Sequence, residues 1–170
     1  VMENGELGQL YYGKKIHERS QCLNLSTREE RGATTAWKLE KPDFQPDMLK
    51  QEYASFGKGD FRYPAYQLTL KNGSRISEFV YDRYEKIIGK QRLPHLPSTF
   101  DDTKDDAETL IIYLQDKFAK IGLELVYSIF PHEDVIVRSA RFRNYSNETI
   151  SLSPAFSMQL DLPDSNYDFI

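Results

Sequence analysis

The sequence contains one run of side chains whose types and spacing suggest metal chemistry, the acidic residues 101–108. The run is Asp-Asp-Thr-Lys-Asp-Asp-Ala-Glu. Calcium is a hard cation that binds several carboxylate oxygens at once. The run lacks the Asp-x-Asp-x-Asp-Gly spacing with a closing Glu that forms a calcium loop. We therefore interpret residues 101–108 as a solvated loop or sheet edge.

Other residue types that carry chemistry are few and scattered. The three histidines, His17, His95 and His132, have no ligand-like spacing, and no Cys-x-x-Cys or His-Glu-x-x-His pattern occurs. The sequence contains no Gly-x-x-x-x-Gly-Lys-Ser/Thr loop, and Gly57-Lys-Gly lacks the third glycine of a dinucleotide loop. It also has no Gly-x-Ser-x-Gly nucleophile elbow. We expect no metal site and no cofactor.

Composition places the chain among globular proteins. Its 170 residues are 39% hydrophobic and 28% charged, which suits one domain with its own core. A net charge of −4 offers no general attraction to nucleic acid or anionic lipid. No apolar run is long enough to span a bilayer. Cys22 is the single cysteine and no secretion leader is visible, so we expect a cytoplasmic protein.

The elements that must position any site are strands. Asn72-Gly73 separates two β-prone runs, residues 66–70 and 76–84, and predicts a tight hairpin between them. Further strands are predicted at residues 109–115, 121–130, 135–142, 149–153 and 155–162. Neither face of residues 135–142 is purely apolar, so we expect one face to meet solvent or a partner domain. Turn signals every 8–12 residues without a long helical period predict an all-β, antiparallel β-sandwich.

Residues 17–58 differ from this pattern. Pro42 and Pro46 interrupt them, and polar residues dominate. Long connections in compact domains tend to be functional or disordered, so this loop is the segment that we single out for function. The chain begins at Val1 and stops at the apolar Ile170, from which we expect residues 1–170 to be one sandwich domain, cut from a longer protein and incomplete.

A series of motifs covers nearly the whole chain in a characteristic order. They include Asn4-Gly-Glu-Leu-Gly-Gln-Leu-Tyr-Tyr-Gly-Lys, Gln51-Glu-Tyr-Ala-Ser-Phe-Gly, Gly59-Asp-Phe-Arg-Tyr-Pro-Ala-Tyr, Ile136-Val-Arg-Ser-Ala-Arg-Phe-Arg-Asn and Ser157-Met-Gln-Leu-Asp-Leu-Pro-Asp. The set resembles the N-terminal domain of bacterial glycoside hydrolase family 36 α-galactosidases. Each motif alone is weak, but the ordered set is specific.

The resemblance implies a β-supersandwich that precedes a catalytic (β/α)8 barrel. In the family, an aspartate nucleophile and an aspartate acid/base in the barrel cleave terminal α-galactose with retention. The barrel lies outside these 170 residues, so the chain alone is expected to be inactive. Retention needs two carboxyl groups about 5–5.5 Å apart, and we interpret the many Asp and Glu side chains present here as solvated surface.

The resemblance also implies partners and site residues. The expected substrate is an α-galactoside, and the expected assembly is a homo-oligomer of the tetrameric kind seen in the family. There the long loop reaches a neighbouring subunit's active site with an Asp-Arg pair, for which Glu30 and Arg31 are the counterparts here. Glu replaces Asp, a one-residue shift would make Glu29 the equivalent, and a surface ion pair is the alternative interpretation. Trp37 is either a stacking surface for an outer sugar or a core residue.

Two other functions compete with the enzyme domain. One is a stand-alone carbohydrate-binding module, and the other is a structural β-sandwich for cell-surface adhesion. A binding module needs exposed aromatic side chains, whereas the aromatic residues here lie mainly in strand patterns typical of a core. An adhesion module would usually carry a secretion signal. We therefore favour the enzyme domain.

Overall fold

The fold consists of antiparallel strands in two layers. The structure is a computed structural model, and it describes residues 1–13, 44–99 and 106–162. Its strands are β1 (Tyr66–Thr69), β2 (Val80–Ile88), β3 (Glu108–Asp116), β4 (Ile121–Phe130), β5 (Val135–Asn144) and β6 (Ser151–Ala155). The only helical element in the described ranges is a 3₁₀ turn at Pro46–Met48. The predicted all-β, antiparallel sandwich is confirmed.

The larger layer is a meander of four strands in the order β2-β3-β4-β5, and the smaller layer pairs β1 with β6. Five consecutive residues at the start of β4 are buried, because β4 is an interior strand with both faces covered there. The edge strand β5 is exposed or half-buried along its length, as the mixed character of its faces predicted.

The core lies between the layers and centres on Tyr66, which is 2% exposed. Its ring stacks on Tyr53 at a centroid distance of 5.4 Å and meets Phe79 edge-on at 5.5 Å and Phe142 at 5.2 Å. The Tyr66 hydroxyl lies 2.9 Å from that of Ser77. A single aromatic side chain of β1 therefore joins the two layers.

The predicted Asn72-Gly73 hairpin is wrong in its pairing. A tight turn does form there: Gly73 has a φ of +80°, and its N–H donates to the carbonyl of Leu70 at 2.9 Å. The next strand starts only at Val80 and pairs with β3 in the other layer. The turn residues specify a local reversal, but burial of β1 against the larger sheet decides which strand it joins.

The strand predicted at residues 155–162 is also wrong beyond Ala155. Side chains, not a strand ladder, hold the following segment. Gln159 Oε1 accepts the backbone N–H of Ala54 at 2.6 Å, and Gln9 Oε1 accepts that of Asp161 at 3.1 Å. Alternating apolar residues are therefore not sufficient for a strand where no neighbouring strand offers a ladder.

Aromatic residues are less buried than their strand-like pattern suggested. Nine in the described ranges are exposed: Tyr11, Tyr12, Phe56, Phe61, Tyr63, Tyr84, Phe118, Tyr145 and Phe156. Most lie in loops or on the uncovered surfaces of the sheets. The expectation that aromatic side chains serve mainly as core is therefore wrong for these positions. In the same ranges, no helix is long and apolar enough to cross a bilayer.

Candidate functional site

The three predicted site residues, Glu30, Arg31 and Trp37, lie outside the described residues, so their roles stay predictions. What the structure describes is the C-terminal end of the same connection, residues 44–58. Gln51, Tyr53 and Ala54 are buried there, and a β-bridge joins Gln51 to Gly8. The end of the predicted loop is therefore built into the sandwich.

Arg62 fixes this end of the loop. Its guanidinium group donates to the backbone carbonyls of Pro46, Asp47 and Leu49 at 3.2, 3.3 and 2.9 Å. These carbonyls belong to the 3₁₀ turn and the residue after it. Such a planar group with five N–H donors can satisfy several acceptors at once. Arg62 of the Gly59-Asp-Phe-Arg motif therefore has a structural role in the described part of the chain.

Two carboxylates complete the Arg62 anchor. The Asp60 carboxylate accepts hydrogen bonds from Arg62 Nε at 2.8 Å and from Gln51 Nε2 at 2.6 Å. Asp161 forms an ion pair with another nitrogen of Arg62. The backbone N–H of Gln51 also donates to Asp161, at 2.9 Å. Asp60 is 8% exposed, and charge-assisted hydrogen bonds are strong in such surroundings. The anchor thus ties together three segments of the chain, residues 46–51, residues 60–62 and Asp161.

A second, half-buried cluster lies next to the anchor, on the inner face of β4 and β5. The Glu52 carboxylate accepts the Tyr127 hydroxyl at 2.7 Å and pairs with Arg138 at 2.7 Å. Burial raises the pKa of Glu52 above its ordinary value, against the opposing effects of Tyr127 and Arg138. Burial and the Glu52 charge also raise the pKa of Tyr127. The Arg138 guanidinium group also donates a hydrogen bond to the backbone carbonyl of Gln159 at 3.1 Å.

The expectation that Asp and Glu side chains are solvated is wrong at four described positions. Glu6, Asp60, Asp116 and Glu124 are buried. Lysine or arginine pairs with three of them, and Asp116 accepts the backbone N–H groups of Glu78 and Ala119 at 2.9 and 2.8 Å. Buried carboxylates need such partners. In the described ranges they hold the fold together, and no group of three or more His, Cys, Asp or Glu side chains there is arranged to hold a metal ion.

The motifs quoted from the sequence contain most of these network residues, but their pairings could not be deduced. Gln51 and Asp161 are 110 positions apart, and the local sequence around either residue does not predict that it contacts the other. A polar residue inside an otherwise apolar run was the available signal. Asp161 lies between two leucines, and Arg138 lies in the alternating pattern of β5.

The family model for the glycosyl hydrolase family 36 N-terminal domain matches residues 5–170. The chain belongs to glycoside hydrolase family 36. The resemblance inferred from the ordered motifs is thereby confirmed. The position of the match assigns these residues to the N-terminal domain of that family.

Known members of family 36 agree with this assignment. α-Galactosidase AgaA of Geobacillus stearothermophilus is 36% identical over 180 residues, covering 100% of this chain and 23% of AgaA. α-Galactosidase Mel36A of Lactobacillus acidophilus is 33% identical and is likewise covered to 23%. The crystal structure of the Lactobacillus brevis α-galactosidase has a TM-score of 0.91 and 56% identity, covering 99% of this chain and 23% of its own. The chain thus spans about a quarter of the length of its relatives.

Proposed function

We propose that this chain is the non-catalytic N-terminal domain of a retaining α-galactosidase. The observation that carries the proposal is the family match over residues 5–170 together with the 23% share of the relatives' length. The catalytic aspartates then belong to a (β/α)8 barrel in the rest of the parent enzyme. The role of the described buried carboxylates as structural acceptors supports this division of labour.

The proposed substrates are oligosaccharides of the melibiose and raffinose type that end in α-galactose. Two variants of the Geobacillus AgaA enzyme, to which this chain is 34–35% identical, have been solved in complex with raffinose and with stachyose. Cleavage with retention requires a nucleophilic carboxylate and an acid/base carboxylate about 5–5.5 Å apart. In this proposal the present domain supports the catalytic barrel, and its loop contacts a neighbouring subunit.

The larger sheet offers a surface for such support. Its inner face is covered where Leu114 and Leu123 lie, which are 5% and 2% exposed. At the opposite end Ile88, Ile129 and Ile136 are 73%, 45% and 45% exposed, in a row that also contains Glu108 of β3, because the two-stranded sheet is too small to reach it. We propose that the remaining three quarters of the parent polypeptide packs on this row, since exposed apolar patches mark interaction surfaces.

We further propose that the parent enzyme is a homo-oligomer, of the tetrameric kind, in which the loop at residues 17–58 borders a neighbouring subunit's sugar site. The Arg62 anchor supports this role, because it gives the loop a fixed base. Phe61 and Tyr63 on either side of Arg62 are 91% and 74% exposed, and they supply apolar area for the neighbouring subunit. The single cysteine, Cys22, supports a cytoplasmic location for this oligomer.

A comparison of this chain with the parent enzyme tests the division of labour. Expressed alone, residues 1–170 should give no hydrolysis of an aryl α-galactoside above the uncatalysed rate. Expression together with the coding sequence that follows in the natural gene should give full activity. Hydrolysis by the 170-residue chain itself would overturn the non-catalytic assignment.

The loop assignment has its own test in the parent enzyme. A Glu30→Gln, Arg31→Met variant should lose at least about tenfold in kcat/KM, since even one hydrogen bond to a charged group contributes about 1.5–3 kcal/mol and 1.4 kcal/mol is tenfold. Trp37→Ala should weaken turnover of stachyose more than that of an aryl α-galactoside, because only the longer substrate reaches an outer sugar subsite.

A matched control for the loop variants is the exposed ion pair of Lys71 and Glu148, whose side chains are 71% and 55% exposed. The corresponding Lys71→Met, Glu148→Gln variant should keep its kcat/KM. If the loop variant is as active as this control, Glu30 and Arg31 do not border the sugar site.

A further inference from the structure

The outer face of the larger sheet carries a row of polar side chains that spans all four strands. Arg83 of β2 lies opposite Tyr113 of β3, Tyr113 opposite Glu124 of β4, and Glu124 opposite Arg141 of β5. Residues directly opposite each other in antiparallel strands share a face, with their Cβ atoms about 4.5–5.5 Å apart. The strand register therefore sets these four side chains side by side, on the face opposite the core.

Glu124 is the fixed centre of this row. It is 5% exposed, and its carboxylate accepts Arg141 Nη1 at 2.9 Å and is paired with Arg143 Nε. A carboxylate has about four acceptor positions and a guanidinium group has five donors. The two arginine side chains are 36% and 48% exposed, so donors that Glu124 does not use face outward.

Tyr113 contacts two neighbouring side chains of β2. The Arg83 guanidinium lies over its ring, 4.0 Å from the centroid, and its hydroxyl donates to Glu85 at 3.1 Å. Arg83 is itself paired with Asp82 at 2.6 Å. The polar groups along this side of the row are thus preorganised before any ligand arrives, which reduces the entropy lost on binding.

Tyr145 closes the other side of the row. A Cβ atom on Gly122 would lie 2.8 Å from Tyr145 Cε2 and 3.1 Å from its hydroxyl oxygen, so the ring rests on the bare backbone of Gly122. Tyr145 is nevertheless 61% exposed, which leaves an aromatic surface toward solvent. Between this ring and the polar row is a cleft of about 390 Å³, within the range of about 300–1,000 Å³ for small-molecule sites.

We propose that this cleft is a binding site for a neutral oligosaccharide. Its charged lining residues are Asp82 and Glu124 against Arg83 and Arg143, so the charges balance and favour neither anions nor cations. Rigid paired donors and acceptors suit the neighbouring hydroxyl groups of a sugar ring. The exposed Tyr145 ring offers an apolar surface to the C–H face of the sugar.

The choice of α-galactosides among neutral sugars rests on the proposed function. The bound sugar would be a further unit of the substrate, or of a polysaccharide that carries it, captured by this domain. A site that instead prefers phosphate would point to Arg83, Arg141 and Arg143 as the dominant feature, and the test includes that outcome.

Titration of the 170-residue chain followed by two-dimensional amide NMR tests the site. Stachyose and raffinose are expected to shift the amide signals of Tyr113, Gly122, Glu124 and Tyr145 in a saturable way, with a Kd on the order of 1 mM, or about −4 kcal/mol. Maltotriose should bind at least fivefold more weakly. Saturable shifts with inorganic phosphate, or no shifts in the cleft with any of the sugars, would overturn the proposal.

Two variants of the chain localise the binding. Tyr145→Ala should weaken stachyose binding about tenfold, and Glu124→Gln should do so as well. Tyr84→Ala is the matched control, since Tyr84 lies on the opposite face of the same sheet and is 58% exposed. The amide spectrum of each variant reports whether it is folded, and equal affinity in the Tyr145 and Tyr84 variants would refute the site.

Hydrolysis of an aryl α-galactoside by the unmodified parent enzyme separates this proposal from the proposed function, because that reaction tests the proposed function alone. Stachyose binding by the 170-residue chain together with hydrolysis by the parent supports both proposals. Hydrolysis with no binding by the unmodified chain removes the cleft proposal alone.

Discussion

Replacing Arg62 with methionine is expected to lower the free energy of unfolding by about 3–5 kcal/mol, the range for breaking a buried ion pair by removing one partner. The substitution leaves Asp60 and Asp161 without their cation and three backbone carbonyls without a donor. Urea denaturation followed by tryptophan and tyrosine fluorescence measures the change. Faster amide exchange at Leu49 and Gln51 should accompany it, because the anchor of the loop is lost.

Arg62→Lys should recover less than half of this loss. An ammonium group keeps the charge, but it cannot reach two carboxylates and three carbonyls with the geometry of a planar guanidinium. Arg83→Met is the control, since the Arg83 side chain is 63% exposed and exposed ion pairs contribute about 0–1 kcal/mol. Comparable losses in the Arg62 and Arg83 variants would contradict the role of Arg62 as an anchor.

Tyr66→Ala is expected to cost about 3–5 kcal/mol, as large aromatic truncations in cores do. The substitution removes the ring that touches Tyr53, Phe79 and Phe142 and leaves a cavity between the two sheets. Tyr66→Phe keeps the ring and removes only the hydroxyl group. It should cost about 1–3 kcal/mol, because the buried Ser77 hydroxyl loses its partner.

The control for Tyr66 is the neighbouring Tyr63, which is 74% exposed. Tyr63→Ala in the 170-residue chain should change the stability by less than about 0.5 kcal/mol. Thermal and urea unfolding of the three variants, with the urea dependence checked for constancy, gives the comparison. A Tyr66→Ala variant as stable as Tyr63→Ala would show that the layers do not depend on this ring.

Strand positions were predictable where the local pattern and the tertiary environment agree. Residues 109–115, 121–130 and 135–142 all fall within β3, β4 and β5, because consecutive strands of a meander bury alternating side chains against one core. The prediction failed at residues 155–162, where no neighbouring strand offers a ladder. It also failed for the partner of β1, which is set by burial of Tyr66 and Leu68 and not by the Asn72-Gly73 turn.

The site was less predictable than the fold. The loop residues Glu30 and Arg31 were suggested by family resemblance alone, and they lie outside the described residues together with Trp37. The anchor that holds their loop joins residues such as Gln51 and Asp161, 110 positions apart. The outer cleft depends on four side chains that strand register alone brings together. Long-range polar pairing leaves no periodic trace in a sequence, whereas apolar burial does.

The pairing of β1 with β6 has a consequence for the order in which the molecule assembles. Tyr66 pairs with Ala155, whereas the strands of the meander pair with their immediate neighbours in the chain. Synthesis at about 5–20 residues per second separates the emergence of the two partners by several seconds. During that interval the strands of the meander can form their local contacts, which form rapidly. Tyr66 and Leu68 of β1 have no partner strand until β6 has been synthesised. We infer that core closure is the last step of folding, and that the newly made chain is most vulnerable to aggregation just before it.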